Sequence, residues 1–373
     1  MNITIVGGGN IGTAMAVQMA KNGAAVTIMT SKPSKFQPTL VMTDLDTDIQ
    51  TAVSGVRITD DPKIAADAQI VFFTVPSSVF PQSFAQIAPY LKKETAVGVV
   101  PGTGGAEFFC RSFIEAGGTF FGFERVPFIS RLIEYGAHVR AQKKASVRIA
   151  AFPASRASSL CAVIKELLSI DCTVMKNYLS ITFTPSNPIL HTSRLYAMYA
   201  NRPIDALYDH NILFYEEWDD ASSELLFACD SELQSICRAL SDFDLSGVIP
   251  LPVHYESKTP ALLTQKIRSI RSFRGIGSPM KPADGGYRVD LSSRYFTEDF
   301  PFGLCILRGF GEIAGVKTPH MDKILSWYES IAGVHYLKDG ILCGVDCKQT
   351  AIPQRFSLVS ADDLYAFYQT SIV

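Results

Sequence analysis

Residues 2–12 read NITIVGGGNIG, an apolar strand that runs straight into a glycine turn and out into a helix. Gly7, Gly9 and Gly12 stand at G-x-G-x-x-G spacing, with Gly8 filling the variable site. The first glycine permits a tight turn, the second lets a pyrophosphate approach the backbone, and the third lets helix and strand pack closely. Unpaired amide N–H groups and the positive end of the helix then hold the anion. Asn10 and Ile11 open that helix and join the glycines as candidate cofactor contacts. The spacing alone is common; its place between a strand and a helix gives it weight.

The rest of the first half repeats the pattern. AAVTIMT (24–30), VRITD (56–60), IVFFTVP (70–76), AVGVVPG (96–102) and SVRIAAFP (146–153) read as strands, and CTVMKN (172–177) as an edge strand. Helical patterns separate them, including 61–68 and 157–168. Strand–helix alternation predicts a parallel sheet covered on both faces. From Ser186 the pattern turns helical, at 186–200, 215–240, 260–273 and 303–332, with 277–294 the most loop-like stretch. A chain of 373 residues is long for one domain. The expected fold is therefore an α/β, Rossmann-like, doubly wound parallel sheet over residues 1–182, followed by a mainly α-helical domain over 183–373.

Composition closes off other classes. The formal net charge is −2 and no run of like charge occurs, which speaks against a nucleic-acid surface or a polybasic membrane patch. No stretch of roughly 18 apolar residues suggests a membrane span. No secretory leader precedes the first strand, and a cytoplasmic protein is expected. The 8 cysteines are scattered without a CxxC, so buried reduced thiols are expected and no metal site.

The end of the second strand bears on the cofactor. NAD sites usually carry a carboxylate there for the ribose 2′-hydroxyl. Here the residues are Thr30, Ser31 and Lys32, and no acid follows until Asp44. Hydroxyls followed by a cation suit a 2′-phosphate, so NADP is expected over NAD. Val75 and Pro76, and Gly102 and Gly104 of PGTGGAEF (101–108), also end strands on the ligand-binding side of such a sheet and are expected beside the cofactor.

Two further stretches carry chemistry. In SNPILHTSRLY (186–196), Asn187-Pro188 reads as N-cap and first helical position, which puts His191 in the first turn. In SSRYFTEDFPFGL (292–304), Arg294 and Asp299 lie just before an apolar helix. Taken singly, these are a core histidine and a surface ion pair. Taken together, Asn187-Pro-x-x-His191 and Arg294-Tyr-x-x-Glu-Asp299-x-Pro-x-Gly303 resemble the opine dehydrogenase family of octopine/nopaline type. PGTGGAEF, an acid-rich helix at FYEEW (214–218) and GVKTPHMDKIL (315–325) extend the resemblance over nearly the whole chain.

The resemblance implies reductive condensation of a 2-keto acid with an amino acid. It implies His191 as acid/base, Asp299 orienting it, and Arg294, with Asn187, at the substrate. Asp299 would take a hydrogen bond from one imidazole nitrogen while the other faces the reacting carbonyl or imine. Partners would be small molecules, with a homodimer left open. One departure stands out: members with an acid after the second strand use NAD, and this chain has Ser31-Lys32. Two other readings remain. Lys176, followed by Asn177, would suit an enzyme resembling ketopantoate reductase, and a dinucleotide sensor would need the glycine turn alone.

Overall fold

Residues 1–373 are described by a computed structural model, and they form two units: Met1–Thr182 with Phe367–Val373, and Phe183–Ala366. Residues 367–373 thus leave the second unit, where the sequence pattern groups them, and join the first. Aromatic packing is the reason. The Phe367 ring lies 6.0 Å from Phe108 and 5.5 Å from Phe152, and Tyr368 lies 5.9 Å from Phe152. Backbone and hydroxyl bonds finish the return: the Val373 N–H donates to the Lys176 carbonyl (2.9 Å) and the Tyr178 N–H to Ser371 Oγ (3.2 Å).

The first unit has twelve strands: β1 (Asn2–Val6), β2 (Ala25–Met29), β3 (Thr39–Asp44), β4 (Gln50–Ser54), β5 (Arg57–Thr59), β6 (Ile70–Phe73), β7 (Ala96–Val99), β8 (Thr119–Phe123), β9 (Phe128–Glu134), β10 (His138–Lys143), β11 (Ser146–Phe152) and β12 (Asp171–Val174). Eight of them form one sheet in the order β12-β11-β8-β7-β6-β1-β2-β5. Every neighbouring pair is parallel except β8 with β11. The order reverses at β1, the hallmark of a doubly wound sheet, and ligands bind beyond the strand ends at that reversal.

The sequence pattern did not disclose the other four strands. They make a second sheet, β4-β3-β10-β9, with β3 and β10 parallel. This sheet explains helix α1 (Asn10–Lys21), which buries Gly12 through Met19 without interruption. A helix covered on one face buries only a stripe. Here α1 shares one core with Ile3, Ile5 and Ile28 of the main sheet and with Leu40, Met42 and Val139 of the second.

The second unit is built on helices Ser186–Tyr199, Asp220–Ala239, Pro260–Ser269, Cys305–Ile313 and Pro319–Ala332. Leu226, Leu233, Ile236, Phe310, Met321 and Ile324 are among its buried apolar side chains. Three readings need correction. FYEEW is a turn, because the helix starts at Asp220 with Asp219 Oδ1 accepting from the Ser222 N–H (2.8 Å). The 277–294 stretch contains a hairpin, Met280–Ala283 with Gly286–Val289. The helix expected at 61–68 is a tighter 3₁₀ turn, Pro62–Asp67. No helix is long and apolar enough to cross a membrane.

Candidate active site

In the first unit the glycine turn is built by contact distances. Gly7 has φ +110° and its N–H donates to the Met29 carbonyl (2.9 Å). A Cβ on Gly12 would lie 1.9 Å from the Gly7 carbonyl oxygen, so α1 and β1 could not approach as they do. A Cβ on Gly9 would meet nothing within 4 Å. Gly7 and Gly12 therefore shape the turn, and Gly9 leaves space in front of it. Helix α1 has no side-chain cap and no acid in its first turn. Its leading N–H groups and positive end are available to an anion, and that donor set fits the pyrophosphate of a dinucleotide.

The other expected cofactor contacts divide. Val75 and Pro76 follow β6 and are partly exposed, and Gly104 has φ +89°. Ser31 and Lys32 are exposed at the end of β2. The Thr30 hydroxyl is hydrogen-bonded to the Tyr135 hydroxyl (3.0 Å). Two residues have structural work instead. Asn10 Oδ1 accepts from the Leu132 N–H (2.8 Å), tying α1 to β9. Gly102 is buried, and a Cβ there would lie 2.7 Å from Gly122 Cα and 2.9 Å from the Tyr178 hydroxyl. Lys176, the alternative catalytic lysine, is exposed.

In the second unit the two motif stretches meet at two levels. A Cβ on Gly303 would come within 3.2 Å of Pro188, so the absence of one lets the Phe300–Leu304 turn sit against the helix start. One helical turn further along, His191 Nδ1 lies 2.8 Å from Asp299 Oδ2. The His191 side chain is 11% exposed and that of Asp299 15%. With the carboxylate as acceptor, Nδ1 carries the proton and Nε2 is left as acceptor. Nε2 does not face open space: it is 2.9 Å from the Tyr215 hydroxyl. The Tyr295 ring stands 4.5 Å from the imidazole, and the Phe214 ring meets it edge-on at 5.5 Å.

Asn187 is not the cap. The helix begins at Ser186 behind Pro185, which leaves Asn187 exposed at its second position and moves His191 into the second turn. The helix-dipole penalty on a charged imidazole fades beyond the first turn. Arg294 is exposed and forms no ion pair, on the one-turn helix Arg294–Thr297 that also carries Tyr295.

Arg194 and Tyr215 were not foreseen. Arg194 is 2% exposed, three residues after His191 on the same helix. Its guanidinium donates to the carbonyls of Phe214 (3.2 Å) and Glu217 (2.6 Å), to Asp219 Oδ2 (3.0 Å) and to Ser222 Oγ (3.1 Å). A buried guanidinium that spends its N–H groups on one short turn fixes that turn, and the turn carries Tyr215. Tyr215 also stacks on Phe273 at 4.1 Å. Burial pushes its phenol far above the ordinary range, so it remains a neutral O–H group. The one available signal is the His191/Arg194 spacing, which puts both on adjacent turns of one helix face.

Comparison with known proteins bears on the family. Residues 174–332 match the alpha-helical domain of NAD/NADP octopine/nopaline dehydrogenase, and residues 2–105 match the N-terminus of NAD-dependent glycerol-3-phosphate dehydrogenase. Octopine dehydrogenase of Pecten maximus is 26% identical over 97% of this chain and 98% of its own. Tauropine dehydrogenase of Arabella iricolor is 28% identical over 97% of this chain and 99% of its own. A solved octopine dehydrogenase with NADH and pyruvate superposes with a TM-score of 0.86 at 26% identity, covering 98% of this chain and 97% of that one. With the open glycine turn in one unit and the His191–Asp299 pair in the other, the chain belongs to the octopine/nopaline dehydrogenase family of NAD- and NADP-dependent enzymes.

Proposed function

We propose that this protein condenses a 2-keto acid with the amino group of an amino acid and reduces the product to a secondary-amine dicarboxylate, reversibly, with His191 and Asp299 as its acid/base pair. The observation that carries the assignment of the pair is the 2.8 Å contact between His191 Nδ1 and Asp299 Oδ2 in a largely enclosed setting. Bound NAD(P)H supplies the hydride. The chain's own work is to hold the substrates and move protons. Amine and ketone first join as a carbinolamine, whose hydroxyl must be protonated to leave as water. A protonated His191 provides that proton, and Asp299 steadies the charged ring. In the oxidative direction neutral His191 takes a proton back. Arg294, exposed and without an acid partner, is suited to a substrate carboxylate, which a planar guanidinium grips with two parallel hydrogen bonds.

Pyruvate, the keto acid bound by the solved octopine dehydrogenase, is the first substrate to test, against a panel of amino acids. His191→Ala should lower kcat by about 10²–10⁴, the usual worth of general acid–base help. Asp299→Asn should approach that loss, and the double variant should lose little more than either, because the two act as one unit. Losses that add in free energy would dissolve the pair.

For the cofactor, the reading is NADP over NAD. The exposed Ser31 and Lys32 offer a hydroxyl and a cation where a ribose-binding carboxylate would stand. Lys32→Ala should raise KM for NADPH more than for NADH. Equal or better use of NADH by the unaltered enzyme would overturn the preference.

A further inference from the structure

Both imidazole nitrogens of His191 are taken by the protein. Asp299 holds Nδ1 at 2.8 Å and the Tyr215 hydroxyl holds Nε2 at 2.9 Å. A proton leaving His191 toward a substrate therefore has to displace Tyr215 or pass through it. Displacement is blocked. Tyr215 is 6% exposed, stacked on Phe273 at 4.1 Å, parallel to Trp218 at 6.4 Å and flanked edge-on by Phe214 at 4.9 Å. The turn that carries it is clamped by Arg194. Passage is open, because a phenol hydroxyl accepts one hydrogen bond while donating another. The Tyr215 hydroxyl is also hydrogen-bonded to the Tyr295 side chain. Tyr295 is only partly buried, follows Arg294 directly and lies against the face of His191.

We propose that Tyr215 and Tyr295 form the outer part of the proton path, so that His191 exchanges protons with the substrate through two phenol hydroxyls rather than by direct contact. This rests on the acid/base reading of His191. In the reductive direction Nε2–H gives its proton to Tyr215 Oη as the Tyr215 proton moves to Tyr295 Oη. The Tyr295 proton goes to the carbinolamine oxygen, whose bond to carbon breaks to release water. Each hydroxyl gains one proton and loses one, no phenolate accumulates, and the ring ends neutral. Tyr295 is then the catalytic residue that touches the reacting oxygen, and Tyr215 a positioning and relay residue behind it. Asp299 is the one carboxylate bonded to His191 within this group.

The test compares Tyr215→Phe, Tyr295→Phe and His191→Ala with the unaltered enzyme, using pyruvate, reduced cofactor and the amino acid that gives the fastest unaltered turnover. Phenylalanine preserves the ring stack and removes only the hydroxyl, and a thermal melt checks that each variant folds. The path requires that both phenylalanine variants lose about 10²-fold or more in kcat, as His191→Ala does, with KM and cofactor affinity within a few-fold of normal. It also requires that Tyr215→Phe combined with His191→Ala be no worse than His191→Ala alone. A solvent isotope effect on kcat should show several protons moving together in the unaltered enzyme and shrink in Tyr215→Phe. If either phenylalanine variant turns over within about threefold of normal while His191→Ala is impaired, the hydroxyl path is wrong and His191 meets the substrate itself. If His191→Ala is fully active, the acid/base assignment fails first, a distinct result.

Discussion

Replacing Glu107 by glutamine should change stability in a way that depends on pH and on little else. Glu107 is fully buried in the first unit. Its Oε1 accepts hydrogen bonds from Thr182 Oγ1 (2.5 Å) and the Tyr368 hydroxyl (2.8 Å), while Oε2 has no partner. Burial dominates and pushes the carboxyl from 4.5 to about 7, against the pull of those hydrogen bonds. The folded state thus holds a proton that the unfolded chain has already released. The contribution is fully present below pH 4.5 and disappears as pH rises through about 7. At 1.36 kcal/mol for each pH unit of displacement, it amounts to about 3 kcal/mol. Glutamine keeps an acceptor for Thr182 and Tyr368 but cannot ionise. It carries a fixed cost of about 1–3 kcal/mol for the amide N–H₂ placed where Oε2 had no partner. Urea unfolding of both proteins from pH 4.5 to 8.5 reads the difference. The variant should gain on the unaltered protein by about 3 kcal/mol between the two ends, most of it between pH 5 and 7. A stability difference that stays constant over this range would refute the argument and mean that Glu107 ionises without resistance.

Three further outcomes can be checked. Gly12→Ala places a Cβ 1.9 Å from the Gly7 carbonyl oxygen, so α1 must move and NAD(P)H binding, followed by fluorescence titration, should fall by at least tenfold. Arg194→Met removes the guanidinium donors that hold residues 214–222 and should cost about 3 kcal/mol, read as a drop in melting temperature; an unchanged melt would show that the turn holds itself. Arg294→Lys keeps the charge and loses the planar fork, so kcat/KM for the keto acid should fall by about 1.5–3 kcal/mol, tenfold or more, while cofactor affinity stays put. Weakened cofactor binding with normal use of the acid would move Arg294 out of the substrate site.

The parts of this molecule legible in its sequence are those fixed by backbone need or by regular burial. Gly7 and Gly12 were readable because no other residue fits at those distances. Inner strands of the main sheet were readable where burial on both faces leaves continuous apolar runs such as IVFF at 70–73, although β8 (Thr119–Phe123) was not singled out. His191 and Asp299 were found as a pair only through the resemblance, since 107 residues lie between them and neither is unusual alone. The second sheet was missed because TLVMTD and QTAVS are short and mixed in polarity, and the pairing of TLVMTD with β10 spans almost a hundred residues. Tyr215 was hidden among core aromatics, since FYEEW offers no sign that one hydroxyl points at an imidazole. Asn187 was misread as a cap because Ser186 starts the helix one residue earlier.

The chain passes from the first unit to the second at residue 182 and returns at 367, which makes the helical unit an insertion. During synthesis the ribosome completes all eight main strands long before it makes Phe367 and Tyr368. Until then Phe108 and Phe152 lack the Phe367 and Tyr368 rings, and Glu107 lacks the Tyr368 hydroxyl. A product that stops after Ala366 would contain the helical unit entire and still be damaged, in the first unit around Phe108 and Phe152.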